Sequence, residues 1–241
     1  MPSFFTLMNL FSGFIALIQA HNGNFSVAAW LIVLAAFFDL LDGMVARMAN
    51  ATSAFGVELD SLCDAVSFGA APSFLVYTYG LSTLGEAGVL LAALPAICGV
   101  VRLARFNVTF TEKKDYFIGL PIPAQAMTVV AFILTFNGRE TWFNRFELGE
   151  LSILIPLVIV LAALMVSNVR FAAMPKPNPA YIRAHPKTFV AFVVGVLLVL
   201  FLQEIGLFLA LVGYLVWGIA GAVIRTLEAI READPSTEDI A

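Results

Sequence analysis

From residue 4 to residue 226 the chain is a succession of apolar runs, each about 20 residues long and separated by short polar breaks. Runs of that length match an α-helix crossing the hydrocarbon core of a bilayer. Apolar residues make up 61% of the 241 positions, against 13 basic and 17 acidic ones, and the mean hydropathy is +0.93. A soluble domain carries roughly a quarter charged residues, about twice the 12% present here. The pattern excludes a soluble enzyme, a nucleic-acid binder and a disordered chain. It predicts an all-α polytopic membrane protein.

Eight spans are expected, near residues 4–20, 25–49, 57–79, 86–108, 119–137, 150–171, 188–203 and 206–226. Only Gln203 and Glu204 interrupt the last two, so a single broken segment is the alternative there. The first run lacks a basic leader and a cleavage site and is expected to be a retained helix. Basic residues set the orientation. With the N-terminus inside, the inner side holds Arg47, Arg102, Arg105, Lys113, Lys114, Arg170, Lys176, Arg183, Lys187, Arg225 and Arg231, and the outer side only Arg139 and Arg145. That bias predicts both termini in the cytoplasm. Residues 1–226 are expected to form one transmembrane catalytic domain and 227–241 a short acidic cytoplasmic tail, disordered from about Ala233. Cys63 and Cys98 fall in apolar runs without metal or redox spacing and are expected to be packing residues.

Four of the seven aspartates, Asp39, Asp42, Asp60 and Asp64, lie in or beside apolar helices. A carboxylate inside a membrane helix costs several kcal/mol unless it is paired or metal-bound. Asp39 and Asp42 are three apart on the second span, and Asp60 and Asp64 four apart on the third, so each pair shares a helix face. Counted from the connection near residue 52, two antiparallel helices bring all four to a similar depth below the cytoplasmic surface. Oxygen ligands in that number suit Mg²⁺ or Mn²⁺, with room for two ions sharing a carboxylate. Gly43 and Ala46 leave space for a group to approach the backbone, Arg47 and Ser53 can bind phosphate oxygens, and Gly56 is expected to let the chain turn into the third helix.

The series Asp39, Asp42, Gly43, Ala46, Arg47, Gly56, Asp60 and Asp64 resembles the signature of the CDP-alcohol phosphotransferase family without a gap. The resemblance implies an integral membrane enzyme that cleaves a CDP-linked lipid, passes its phosphoryl moiety to an alcohol and releases CMP. It implies a six-helix core extended here by two spans, a homodimer, and a divalent-metal site on the cytoplasmic side of the cell membrane. By the same resemblance Asp39, Asp42, Asp60 and Asp64 are metal ligands, Asp64 is also the catalytic base, and Thr6, Gly43, Ala46, Arg47, Ser53 and Gly56 contact the CDP-lipid.

Three further segments are similar to the phosphatidylserine synthase branch of that family: Pro2 to Phe14, Cys98 to Asn107, and Gly119-Leu120-Pro121-Ile122-Pro123. The implied substrates are CDP-diacylglycerol and L-serine. Chemistry points the same way. Serine is a zwitterion whose carboxylate needs a cation, and Arg102, Arg105 and Asn107 at the end of the fourth span, with Arg170 at the end of the sixth, are candidates to bind it. Glycerol 3-phosphate or an inositol phosphate is the alternative acceptor. An ion-coupled transporter is the alternative class, disfavoured because the acids cluster near one side and no internal repeat is visible.

Overall fold

A chain in lipid must bond its backbone polar groups internally, and helices do this within one segment. The computed structural model describes residues 3–48, 53–109, 116–143, 146–172 and 186–233. Among them, five helices are long and apolar enough to cross a membrane: Phe4–His21, Phe25–Val45, Ala54–Tyr79, Glu86–Val108 and Thr188–Arg231. Large apolar side chains such as Phe11, Phe14, Trp30, Phe37, Leu200 and Phe201 are exposed on these helices, an arrangement that water would penalise and lipid would not. The chain divides into two units, Met1–Glu112 with Leu120–Ser167, and Lys113–Gly119 with Asn168–Ala241.

In the first unit, α1 (Ser3–His21) and α2 (Phe25–Met48) form an antiparallel pair. The turn between them is a Schellman cap: Asn24 N–H donates to the Gln19 carbonyl at 2.9 Å and Gly23 N–H to that of Ala20 at 3.1 Å. Gly23 carries φ +77°, the left-handed conformation this cap requires. The third span begins as α3 (Ala54–Asp64), widens into a six-residue π turn at Ala65–Ala70, and continues as α4 (Ala71–Tyr79). Pro72 accounts for the widening. It has no N–H for the Phe68 carbonyl and its ring crowds that oxygen, so Ala71 N–H reaches back five residues to Val66 instead.

α5 (Glu86–Thr109) carries Pro95 in its interior. Next to this break in the ladder, Ala96 N–H donates to Ser73 Oγ at 3.0 Å and ties α5 to α4. α6 (Ile122–Phe136) is the central helix, with 12 of its 15 residues buried. It is shorter than the expected span of 119–137, because Pro121 and Pro123 set its start and Gly119, at φ +76°, turns the chain before it. α7 (Leu151–Val166) completes the unit and also stops short of its expected end, Ser167 being extended.

The second unit contains structure absent from an all-helical expectation. β1 (Tyr116–Ile118) pairs antiparallel with β2 (Arg170–Ala172), with Phe117 opposite Phe171. Phe171 is fully buried against Tyr214 and Gly218, and Tyr214 Oη donates to the Ala172 carbonyl at 3.1 Å. Tyr214 and Gly218 belong to α8 (Pro186–Ala233), which is interrupted at Gln203 by non-helical dihedrals. Its two arms fold back on each other. A Cβ on Gly195 would meet Ala210 at 3.6 Å, and one on Gly206 would overlap the Leu198 carbonyl. The acidic tail beyond Ala233 lies outside the described residues.

Gly13 governs how closely α1 approaches the π turn, since a Cβ there would lie 2.7 Å from Ser67 Cα. Gly13→Val is therefore expected to destabilise the fold by about 1–3 kcal/mol, the usual range for overpacking. The check is the thermal midpoint of the purified protein in detergent. An unchanged midpoint would show that α1 and Ser67 are not held at this spacing.

Candidate active site

α2 supplies Asp39 and Asp42, and α3 supplies Asp60 and Asp64. Carboxylate oxygens of Asp39, Asp60 and Asp64 lie within 4.8 Å of one another. Asp42 is held beside this triad, outside the group that could share one ion. Its Oδ2 accepts the Thr6 hydroxyl at 2.7 Å, and its buried Oδ1 has no hydrogen-bond partner among the described residues. The charge of Asp42 acts on both Asp39 and Asp60, and that of Asp39 on Asp64.

Among the described residues, one buried cation acts on these acids. Arg102 of α5 is 8% exposed, its charge acts on Asp64, and its guanidinium stacks 5.4 Å from the Phe106 ring. That one guanidinium, among the described side chains, does not balance four carboxylates. The converging carboxylates and the orphaned Asp42 oxygen together fit an all-oxygen site for a divalent cation, which this group could hold. Such a donor set is too hard for a thiolate-type metal site.

Asp64 is also gripped from α1. Its Oδ1 accepts from Asn9 Nδ2 at 3.1 Å, and the Asn9 carbonyl accepts from Ser67 Oγ at 3.0 Å. Sequence reasoning passed over Asn9 and Ser67. The signal was present in α1, where Thr6, Asn9 and Ser12 recur every three residues on an otherwise apolar helix, and all three are buried. Polar residues at that spacing mark a face turned to polar partners.

The remaining expected residues are distributed as follows. Gly43 is half-buried, one position past Asp42. Ala46 and Arg47 lie on the last turn of α2, and their side chains are outside the described ones. Ser53 is the N-cap of α3, in extended conformation, with its Oγ accepting from Gly56 N–H at 3.0 Å. The turn into α3 is therefore carried by Ser53. Gly56 lies inside the first helical turn with an ordinary φ, and its missing Cβ accommodates Ser53 Oγ at 3.2 Å. Asn107 Nδ2 donates to Ser61 Oγ at 3.0 Å, which joins α5 to α3 next to Asp60. Arg105 is exposed one turn beyond Arg102. Arg170 is on β2 in the second unit, past the end of α7, with its guanidinium 4.9 Å from the Tyr116 ring.

Comparison with known proteins gives the family. The CDP-alcohol phosphatidyltransferase family profile matches residues 1–146, which contain all four aspartates. A CDP-diacylglycerol–serine O-phosphatidyltransferase of Helicobacter pylori is 37% identical over 221 residues, 90% of this chain and 89% of that protein. The protein of that name from Bacillus subtilis is 41% identical over 136 residues, 56% of this chain and 76% of its own. An archaetidylserine synthase of Methanothermobacter thermautotrophicus is 38% identical over 137 residues, 56% and 58% of the two chains. With well over half its length matched by the profile, and nearly all of it by a full-length relative, the chain belongs to the CDP-alcohol phosphatidyltransferase family.

Proposed function

We propose that the protein transfers the phosphatidyl group of CDP-diacylglycerol to the hydroxyl of L-serine, giving phosphatidylserine and CMP. The observation that carries the reading is the convergence of Asp39, Asp60 and Asp64 beside the buried Arg102. The names of the relatives support serine as the acceptor. Asp39, Asp42, Asp60 and Asp64 hold two Mg²⁺ or Mn²⁺ ions. When bound, these ions supply Lewis-acid neutralisation of the diphosphate and of the departing CMP. Thr6, Gly43, Ala46, Arg47, Ser53 and Gly56 line the approach of the CDP-lipid.

In the transfer, the serine oxygen forms a bond to the lipid-linked phosphorus and the bond from that phosphorus to the CMP oxygen breaks. The serine hydroxyl is too weakly acidic to attack unaided near neutral pH. Asp64 accepts its proton through the oxygen that Asn9 leaves free, and Arg102 holds the serine carboxylate. The chain crosses the cytoplasmic membrane eight times, counting α1, α2, the α3–α4 span, α5, α6, α7 and the two arms of α8. Both termini and the site face the cytoplasm, as the distribution of lysine and arginine favours. The assembly is a homodimer.

Purified protein supplied with CDP-diacylglycerol and Mg²⁺ or Mn²⁺ should release CMP with L-serine, and not with glycerol 3-phosphate, inositol phosphates or no acceptor. EDTA should abolish the release. Release with a phosphorylated acceptor alone would move the protein to another branch, and no CMP with any acceptor would sink the enzyme reading.

Asp64→Asn should lower kcat by about 10²–10⁴-fold, the usual worth of a positioned base, while CDP-lipid binding survives. Asp60→Asn should lose both. Calorimetry with Mn²⁺ and the donor compares the two, and equal loss of binding would make Asp64 chiefly a metal ligand. Arg102→Ala should raise the KM for serine by roughly 10- to 150-fold, the worth of a charge-assisted contact, and leave that for CDP-lipid nearly unchanged. The exposed Arg105→Ala should change either KM by less than about threefold, within the small range of surface charges. Steady-state kinetics in both substrates decides, and equal loss for the two substrates in Arg102→Ala would assign it to the donor site.

A further inference from the structure

Asn9 is fully buried, and its carboxamide is used at one end only. Nδ2 donates to Asp64, while Oδ1 has no hydrogen-bond partner among the described residues. This orientation of the amide is set by the contact of Nδ2 with Asp64. It leaves a buried acceptor oxygen next to the acid cluster, in a medium where an unsatisfied polar atom is costly. Asn9 cannot easily turn away. Ser67 Oγ bonds its main-chain carbonyl at 3.0 Å, and Gly13 lets α1 press against the π turn that follows Asp64. π turns within helices are frequent at functional sites.

The same carboxylate is also under the charge of the buried guanidinium of Arg102. Around Asp64 there are thus a proton acceptor, a cation and a neutral hydrogen-bond acceptor. An amino acid with a side-chain hydroxyl presents the complements of all three: the hydroxyl, the carboxylate and the ammonium. A phosphorylated polyol presents no cationic group for the Asn9 oxygen. We propose that Asn9 reads the ammonium of the amino-acid acceptor through Oδ1 while Nδ2 positions Asp64, an assignment that rests on the serine-transfer reading above. Asn9 is then the residue that separates an amino-acid acceptor from a hydroxy acid of the same shape.

The test compares L-serine with 3-hydroxypropanoate, which has hydrogen in place of the ammonium, on wild type, Asn9→Leu and Asn9→Asp. CDP-diacylglycerol and Mn²⁺ are present throughout. Asn9→Leu should raise the KM for serine by roughly 10- to 150-fold, the worth of one hydrogen bond to a charged group. Its preference for serine over 3-hydroxypropanoate should shrink by the same factor, while the lost contact to Asp64 lowers kcat and Mn²⁺ affinity for both acceptors alike. Asn9→Asp keeps the acceptor oxygen and removes the donor to Asp64, so it should keep the preference and lose kcat.

An undiminished preference in Asn9→Leu overturns the assignment. So does a preference lost equally in Asn9→Asp, which would place the effect in the contact to Asp64 and not in the oxygen. If Asn9→Leu does not assemble, the ratio is read from the residual activity of Asn9→Ala, under the same criterion. A wild type that does not use serine at all would instead overturn the proposed function. A wild type active on serine, with variants of unchanged preference, removes only the role of Asn9.

Discussion

Carboxylates held together inside a membrane helix pair repel one another in a medium that screens poorly, and the design around Asp39, Asp42, Asp60 and Asp64 follows from that problem. Two of the four acids are answered individually. Thr6 donates to Asp42, Asn9 donates to Asp64, and Arg102 brings a buried positive charge to the same carboxylate. What remains negative is an oxygen-rich pocket suited to a divalent cation. The instability of the isolated cluster is thus what would favour a bound cation there.

Close packing makes these answers reachable. Side chains as short as Thr6 and Asn9 can touch acids on other helices only if α1 lies almost against α2 and the third span. The glycine at position 13 permits that approach at Ser67. Pro72 widens the helix just past Asp64, and Ser73 uses its hydroxyl to receive Ala96 N–H beside Pro95. Both prolines interrupt a helix ladder, and beside Pro95 the Ala96 N–H finds its partner on the neighbouring helix. α6, buried on nearly every side, gives the surrounding helices a common support.

Hydropathy located the long helices because a bilayer demands a length and composition that few other folds use. It was less informative for α6 and α7, whose 15 and 16 residues are shorter than the apolar runs containing them. There the ends are set by Pro121, Pro123 and the extended Ser167, local backbone effects that an average over 20 positions smooths away. The β1–β2 ribbon left no pattern to find. Three residues are too few for alternation to show, and residues 116 and 172 meet only across 55 intervening positions. At Gln203 the two polar residues hinted at a break, but the antiparallel return depends on Gly195 and Gly206 fitting against the opposite arm.

The sequence by itself determined the helical character, the membrane environment, the family and the fact that two acids share a face on each of two neighbouring helices. These are local properties, carried by composition and by spacings of three and four residues. Tertiary structure decided which acids lie close enough to share an ion, that Asp42 is tied to Thr6, that Arg102 is buried while Arg105 is exposed, and that Asn9 bonds Asp64. Such contacts depend on how far each helix is rotated and how closely it crosses the next. Those quantities are set by the collective packing of small residues and kinks across the bundle, and no interval within one helix records them.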